Sequence, residues 1–336
     1  MNGRLALPGF VNAHSHTFQR SLRGRTHGDD FWAWRDAMLA LAAEQTPDGV
    51  RREYELTYRE FLRAGYTAVG EFHYLGLAEA TSAAAAAEAA GIEQVVLLAA
   101  YGRGGLPRFR QPSVAVFLGQ VEELAETGAR VGLAPHSVRA CPEDWLQEIG
   151  AYAERERLVL HVHADEQPRE IDECLAEYGV RPIELLARTG CLSPLSTIVH
   201  ATHADDGELD LIADAGARVC VCPTTEASLA DGFVPALRLL ERRIPVCIGS
   251  DSNIRIDPLE ELRELEGTAR RASGRRNVFG VGDLFEFGSD EGAASLGLER
   301  WPGADVDLGH PSLRGVEAAD VRAALVEGCG ADVFVQ

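Results

Sequence analysis

The chain has 336 residues, 46% apolar and 25% charged, which is the balance of a soluble globular enzyme with room for one large core. Its net charge of −20 argues against non-specific nucleic-acid binding, which needs a positive footprint. No apolar run approaches the length that spans a bilayer, and residues 1–10 lack the pattern of a signal peptide, so a cytoplasmic protein with no membrane partner is expected.

In chain order, residues 4–7 lead almost at once into a short apolar run at 10–14. A helix inserted after this first strand is expected over 31–44, carrying Trp32 and Trp34. Thr46-Pro47 then reads as an N-cap followed by proline at the first helical position. Val50, Tyr54, Tyr58 and Phe61 form one apolar stripe, and Gly65 closes the helix. Further runs follow at 67–72, 94–99, 130–134, 158–163, 196–200, 218–222 and 245–249, most of them rich in Val or Ile, as strands buried on both faces should be. Helical spacing recurs between them, in Trp145, Ile149 and Tyr152, and again in Leu259, Leu262 and Leu265. Eight strands alternating with helices predict an α/β protein whose parallel sheet closes into a (β/α)₈ barrel over residues 8–300. Residues 301–336 show turn signals at Gly303-Ala304-Asp305 and Pro311-Ser312. They read as leftover strand and turn material which, with residues 1–7, forms the remnant of a small accessory β-sandwich.

The ten histidines concentrate where this barrel would place its active site. His14 and His16 end the first strand, and their i, i+2 spacing puts both on one face. His73, His136, His161, His163 and His200 sit at or just after later strands, and Asp251 follows the eighth. Only His27, His203 and His310 fall clearly elsewhere. Taken singly, each has an ordinary structural role: a hydrogen-bonded histidine, or an Asp251 that caps the helix starting near Pro258. Jointly they converge on one rim. Three imidazoles and a carboxylate suit one Zn²⁺ with an open position for water, which such a metal makes acidic at a pKa of about 7. His161 and His163 share a face, and periodicity leaves both open. His163 is preferred because it lies nearer the rim and three residues before Glu166, a general acid/base candidate.

Two further features narrow the chemistry. Seven scattered cysteines without CxxC spacing fit reduced, buried thiols, not a disulfide framework or a thiolate zinc site. The sequence contains no lysine, which removes Schiff-base chemistry, the phosphate-binding lysine of nucleotide loops and the carboxylated lysine that bridges two metals in many binuclear hydrolases.

The segment Leu7 to His16 resembles the opening HxH signature of the amidohydrolase superfamily. An ordered series of motifs resembles, within it, the formimidoylglutamate deiminase family of histidine degradation. These are HSHTFQR (14–20), FWAWR (31–35), GEFHY (70–74), APHSVR (134–139), HVHADEQ (161–167), HATH (200–203), CPTTEA (222–227) and GSDS (249–252), which together span about residues 5–300. The resemblance implies zinc ligands at His14, His16, His163 and Asp251, and catalytic roles for Glu166, His200 and Asp251. It also implies substrate contacts at Gln19, Arg35, Tyr74, His136 and Arg139.

The implied reaction converts N-formimidoyl-L-glutamate to N-formyl-L-glutamate and ammonia. Asp251 takes a proton from the attacking water, His200 steadies that water and the developing charge, and Glu166 ferries a proton to the departing nitrogen. A small dicarboxylate amidine needs local cations on so acidic a protein, and Arg35 and Arg139 are the natural forks for it. Alternatives are a nucleobase-type aminohydrolase, an imidazolone-ring hydrolase, or an inactive metal-binding homologue. A flat heterocycle would call for stacking, not two carboxylate clamps. The family also suggests a homodimer. Its members begin with several more strands of the small β-sandwich than this chain has, which predicts exposed apolar surface near Leu5 and Val333.

Overall fold

The computed structural model describes residues 3–25 and 30–335; His27 lies outside them. Its strands are β1 (Arg4–Pro8), β2 (Phe10–Ser15), β3 (Tyr66–His73), β4 (Glu93–Ala100), β5 (Val131–Pro135) and β6 (Leu160–Ala164). They continue with β7 (Ser196–His200), β8 (Arg218–Val221), β9 (Val246–Ile248), β10 (Gly303–Asp307) and β11 (Phe334–Val335). Strands β2 to β9 form one eight-stranded sheet in sequence order, every neighbouring pair parallel. They coincide with the eight apolar runs for a simple reason. Every residue of β2, β3, β6 and β7 is buried, so both faces had to be apolar, with polar groups only where chemistry needs them.

Last and first strands meet through Asp251. Its N–H donates to the His14 carbonyl at 3.0 Å and its own carbonyl accepts the His16 N–H at 2.8 Å, a parallel bridge that pairs it with Ser15. Closure of the barrel therefore brings Asp251 to His14 and His16, far from it in sequence, at the backbone level. Gly249 makes this approach possible. A Cβ there would lie 2.7 Å from the His14 Cβ and 2.8 Å from its carbonyl oxygen. Gly249→Ala is expected to destabilise the fold by about 1–3 kcal/mol through overpacking and to displace His14, lowering bound metal. Thermal melting and metal analysis check this; a variant that melts and binds metal like wild type would contradict it.

The helices follow their local signals. Thr46 Oγ1 accepts the Gly49 N–H at 3.2 Å at the head of the helix Pro47–Arg63, whose stripe of Val50, Tyr54, Tyr58 and Phe61 is fully buried. The inserted helix Phe31–Ala43 is capped by Asp30, which accepts the Ala33 N–H at 2.8 Å. Asp257, not Asp251, caps the helix Pro258–Ser273, leaving Asp251 free for the barrel mouth. All seven cysteines are free and buried. Among the described residues no helix is long and apolar enough to cross a membrane.

The chain ends differ from expectation. β1, β10 and β11 make a small antiparallel sheet, but the tail also contains a helix, Val321–Gly328, where only strand and turn material was expected. Its buried Val321 and Leu325, one turn apart, supply the apolar face. Val333 is fully buried, not exposed, and Leu5 is half-buried, paired with Val306 of β10. The Phe334 ring packs edge-on against Phe10 at 5.7 Å and directly over Gly65, where a side chain would collide with it. The small sheet thus covers the start of β2, away from the end that carries His14 and His16.

Candidate active site

The donor cluster is built from three strands. His163 Nε2 stands 3.2 Å from His14 Nε2 and 3.4 Å from His16 Nε2. Asp251 Oδ1 lies 3.6 Å from His14 Nε2 and 3.5 Å from His16 Nε2. Hydrogen bonding fixes the ring states. His16 Nδ1 faces the Phe72 carbonyl at 2.9 Å and His163 Nδ1 faces the His136 carbonyl at 2.9 Å. A carbonyl only accepts, so both Nδ1 atoms carry hydrogen and both neutral rings turn Nε2 lone pairs toward each other. Burial pushes His14 down to about 3 and also lowers His16 and His163, so the rings are neutral. Burial would raise Asp251, but His14, His16 and His200 hold its carboxyl well below the usual range.

Lone pairs aimed at one another across 3.2–3.4 Å repel unless a cation lies between them. Tetrahedral zinc with nitrogen ligands at about 2.0–2.1 Å separates its donors by about 3.3–3.4 Å. The three imidazoles fit that ion, and Asp251 Oδ1 stands 3.5–3.6 Å from two of them, where it would add a fourth donor. A second tight group, His200, Cys222 and Asp251, has its donor atoms within 4.8 Å of one another and brings in a thiol that the sequence did not single out.

His200 and Glu166 border this cluster. His200 Nε2 is 3.9 Å from Glu166 Oε1 and 3.9 Å from Asp251 Oδ2. Several rim residues hold left-handed backbone without being glycine: Asp165 (φ 56°), His200 (75°), Ala201 (52°), Asp251 (45°) and Asn253 (57°). Such strain costs about 1–3 kcal/mol per residue and gathers where side-chain aim matters more than stability. Burial raises the Glu166 carboxyl, while His200 and Arg139 pull it back. Burial alone would lower His200, but Glu166, Glu226 and Asp251 outweigh it and lift the ring to about 10.

A cavity of about 270 Å³ opens above these groups. His16, His163, Glu166, His200 and Asp251 line its floor, while His14 lies fully buried beneath it. Gln19, Arg35, Tyr74, His136 and Arg139 all line its walls. Gln19 Nε2 donates to the Tyr74 hydroxyl at 2.8 Å, and the His136 ring packs 4.7 Å from the His163 ring. Arg139 leans on Glu170, Nε to Oε1 3.6 Å, and reaches Glu166 at 4.0 Å. Glu170, buried in the first turn of the helix Pro168–Tyr178, also accepts the Glu166 N–H at 3.3 Å.

The sequence reasoning missed the upper wall, where Phe31, Trp34 and Met38 face the cavity and Trp32 stacks under Arg169 at 4.5 Å. Their inward face was the available signal, but a helix followed by no adjoining strand gave no clue to what it covers. Two strand-end histidines stay out of the site. At the end of β3 Phe72 and, one residue past the strand, Tyr74 turn toward the cluster, so His73 has the opposite parity and packs 6.1 Å from Tyr54. His161 lies one layer below His163 and bonds the Ser295 carbonyl at 2.9 Å. His203 bonds the Asp231 carbonyl at 2.7 Å, and His310 caps the turn at Pro311–Leu313.

Fold and donors together define a (β/α)₈ barrel with a group at its mouth that could hold a metal ion. The family model described as the amidohydrolase family matches residues 5–303, so the chain belongs to that family, and with its deaminase relatives this makes it a hydrolase acting on C–N bonds. The chain is 36% identical over 304 residues to a formimidoylglutamate deiminase of Pseudomonas aeruginosa, covering 82% of this chain and 67% of that one. It is 30% identical to a 5-methylthioadenosine/S-adenosylhomocysteine deaminase of Haloarcula marismortui, covering 90% and 72%. The zinc-bound crystal structure of an adenosine deaminase from Xanthomonas campestris shares the fold, with a TM-score of 0.90 at 24% identity, covering 98% of this chain and 78% of that one.

Proposed function

We propose that the protein is a deiminase with one zinc ion, held by His14, His16, His163 and Asp251, that hydrolyses N-formimidoyl-L-glutamate to N-formyl-L-glutamate and ammonia. The observation that carries this is the pair of guanidinium groups, Arg35 and Arg139, lining the cavity whose floor is the donor cluster. Two guanidinium cations in one cavity of a protein of net charge −20 suit a small dicarboxylate, and the similarity to the Pseudomonas enzyme supports the same reading. When bound, the metal supplies hydroxide at neutral pH.

The chain's residues do the rest. Asp251 accepts the proton of the attacking water, and His200 Nε2 donates to the oxygen as charge develops at the formimidoyl carbon. Glu166 carries a proton to the nitrogen that leaves as ammonia. Gln19, Tyr74 and His136 orient the amidine, and Arg35 and Arg139 clamp the carboxylates.

Arg139→Met is expected to raise KM about 10- to 100-fold, the loss of one charge-assisted hydrogen bond. Steady-state kinetics check this, and an unchanged KM would remove Arg139 from substrate contact. A second reading, an amine-bearing nucleoside as substrate, is favoured by the aromatic upper wall of Phe31, Trp32 and Trp34. An ammonia-release assay separates the two. Wild-type protein is supplied with N-formimidoyl-L-glutamate, guanine, cytosine, adenosine and a formamide control, with the organic product identified. Ammonia and N-formyl-L-glutamate from the first compound alone are the expected result. Release from a nucleobase or nucleoside but not from the formimidoyl amino acid would sink the substrate assignment.

A further inference from the structure

Glu226 lies in the short helix Pro223–Leu229 after β8, is 4% exposed, and has no part in the chemistry above. Its Oε1 stands 3.2 Å from His200 Nδ1 and accepts the Cys222 N–H at 2.8 Å. A carboxylate facing a ring nitrogen accepts, so His200 Nδ1 carries hydrogen and Nε2 is the nitrogen turned toward Glu166 and Asp251. The carboxylate is itself held in place. One turn, closed by the Glu226 N–H on the Cys222 carbonyl at 2.9 Å, returns the side chain to the amide at its own start. His200 needs such a partner. It ends β7 with left-handed backbone, so alternation along the strand no longer dictates where the ring points.

We propose that Glu226 is the positioning residue of His200: by accepting the Nδ1–H it fixes the aim of the ring and turns Nε2 into the cavity. The inference rests on the role proposed for His200. The competing role for Glu226 is structural only, as a cap on the Cys222 amide, and the two predict different results.

Glu226→Gln keeps an oxygen for both donors but drops the charge, whereas Glu226→Ala removes both. In zinc-loaded protein, kcat is expected to fall about 10-fold in the first and about 100-fold in the second, the range seen when an outer partner of a site histidine is lost. KM is expected to stay within about twofold, with kcat counted per folded molecule, since a cap alone lowers activity only in proportion to the folded fraction. Nitrogen-15 NMR of histidine-labelled protein gives the readout that needs no substrate. The His200 Nδ1 resonance is expected at a protonated position in wild type and Glu226→Gln, and shifted away from it in Glu226→Ala. Unchanged His200 resonances in Glu226→Ala, or activity falling only in proportion to the folded fraction, would overturn the proposal. If wild type fails to act on N-formimidoyl-L-glutamate, the NMR arm still decides the role of Glu226, so the two failures are distinguishable.

Discussion

Stripping the protein with dipicolinate is expected to lower ammonia release by more than about 10⁴-fold, with full recovery on adding one equivalent of zinc. The size follows from water itself, whose pKa of 15.7 leaves almost no hydroxide at neutral pH when no metal brings it to about 7. The recovery follows from the cluster. Its imidazoles are neutral and pre-aimed, two of them locked by hydrogen bonds to the Phe72 and His136 carbonyls, so little has to be rebuilt when the ion returns. His163→Ala should reproduce the loss without recovery. His161→Ala should keep its zinc, because that ring faces the Ser295 carbonyl one layer lower. Metal analysis beside the activity assay checks both variants. Zinc retained in His163→Ala, or lost in His161→Ala, would mean that the ligand was chosen wrongly.

Glu166→Gln is expected to lower kcat by about 10²–10⁴-fold, the usual contribution of a placed general acid/base, while zinc content and KM stay near wild type. Glu166 sits beside the donor cluster but not in it, 3.9 Å from His200 and 4.0 Å from Arg139. Burial raises its carboxyl while those two cations pull it back. Glutamine keeps the volume and loses the proton. A variant with kcat within a few-fold of wild type would leave the proton transfer to another group. One that loses zinc would make Glu166 part of the metal site.

Most of the barrel was readable because strands buried on both faces must be continuously apolar. The runs at 10–14, 67–72 and 196–200 carry that constraint openly. The donors were readable because imidazoles at i, i+2 and at successive strand ends are hard to explain otherwise. Orientation was harder. His73 and His163 look equivalent in sequence, yet the parity set by Phe72 and Tyr74 turns His73 toward the helix Pro47–Arg63. Glu170 and Glu226 look like ordinary helix carboxylates, and only the folded chain shows one buried against Arg139 and the other on the far side of His200. The helix Val321–Gly328 was hidden by its surroundings, since Pro311, Gly315, Gly328 and Gly330 punctuate the tail like a loop.

The most direct test of the central claim is the ratio of kcat/KM for N-formimidoyl-L-glutamate to that for 5′-methylthioadenosine, measured on one zinc-loaded preparation. A site built around two arginine forks offers carboxylate contacts that a nucleoside cannot make. The ratio is therefore predicted to exceed about 10³ in favour of the formimidoyl amino acid. A ratio below one would contradict the account.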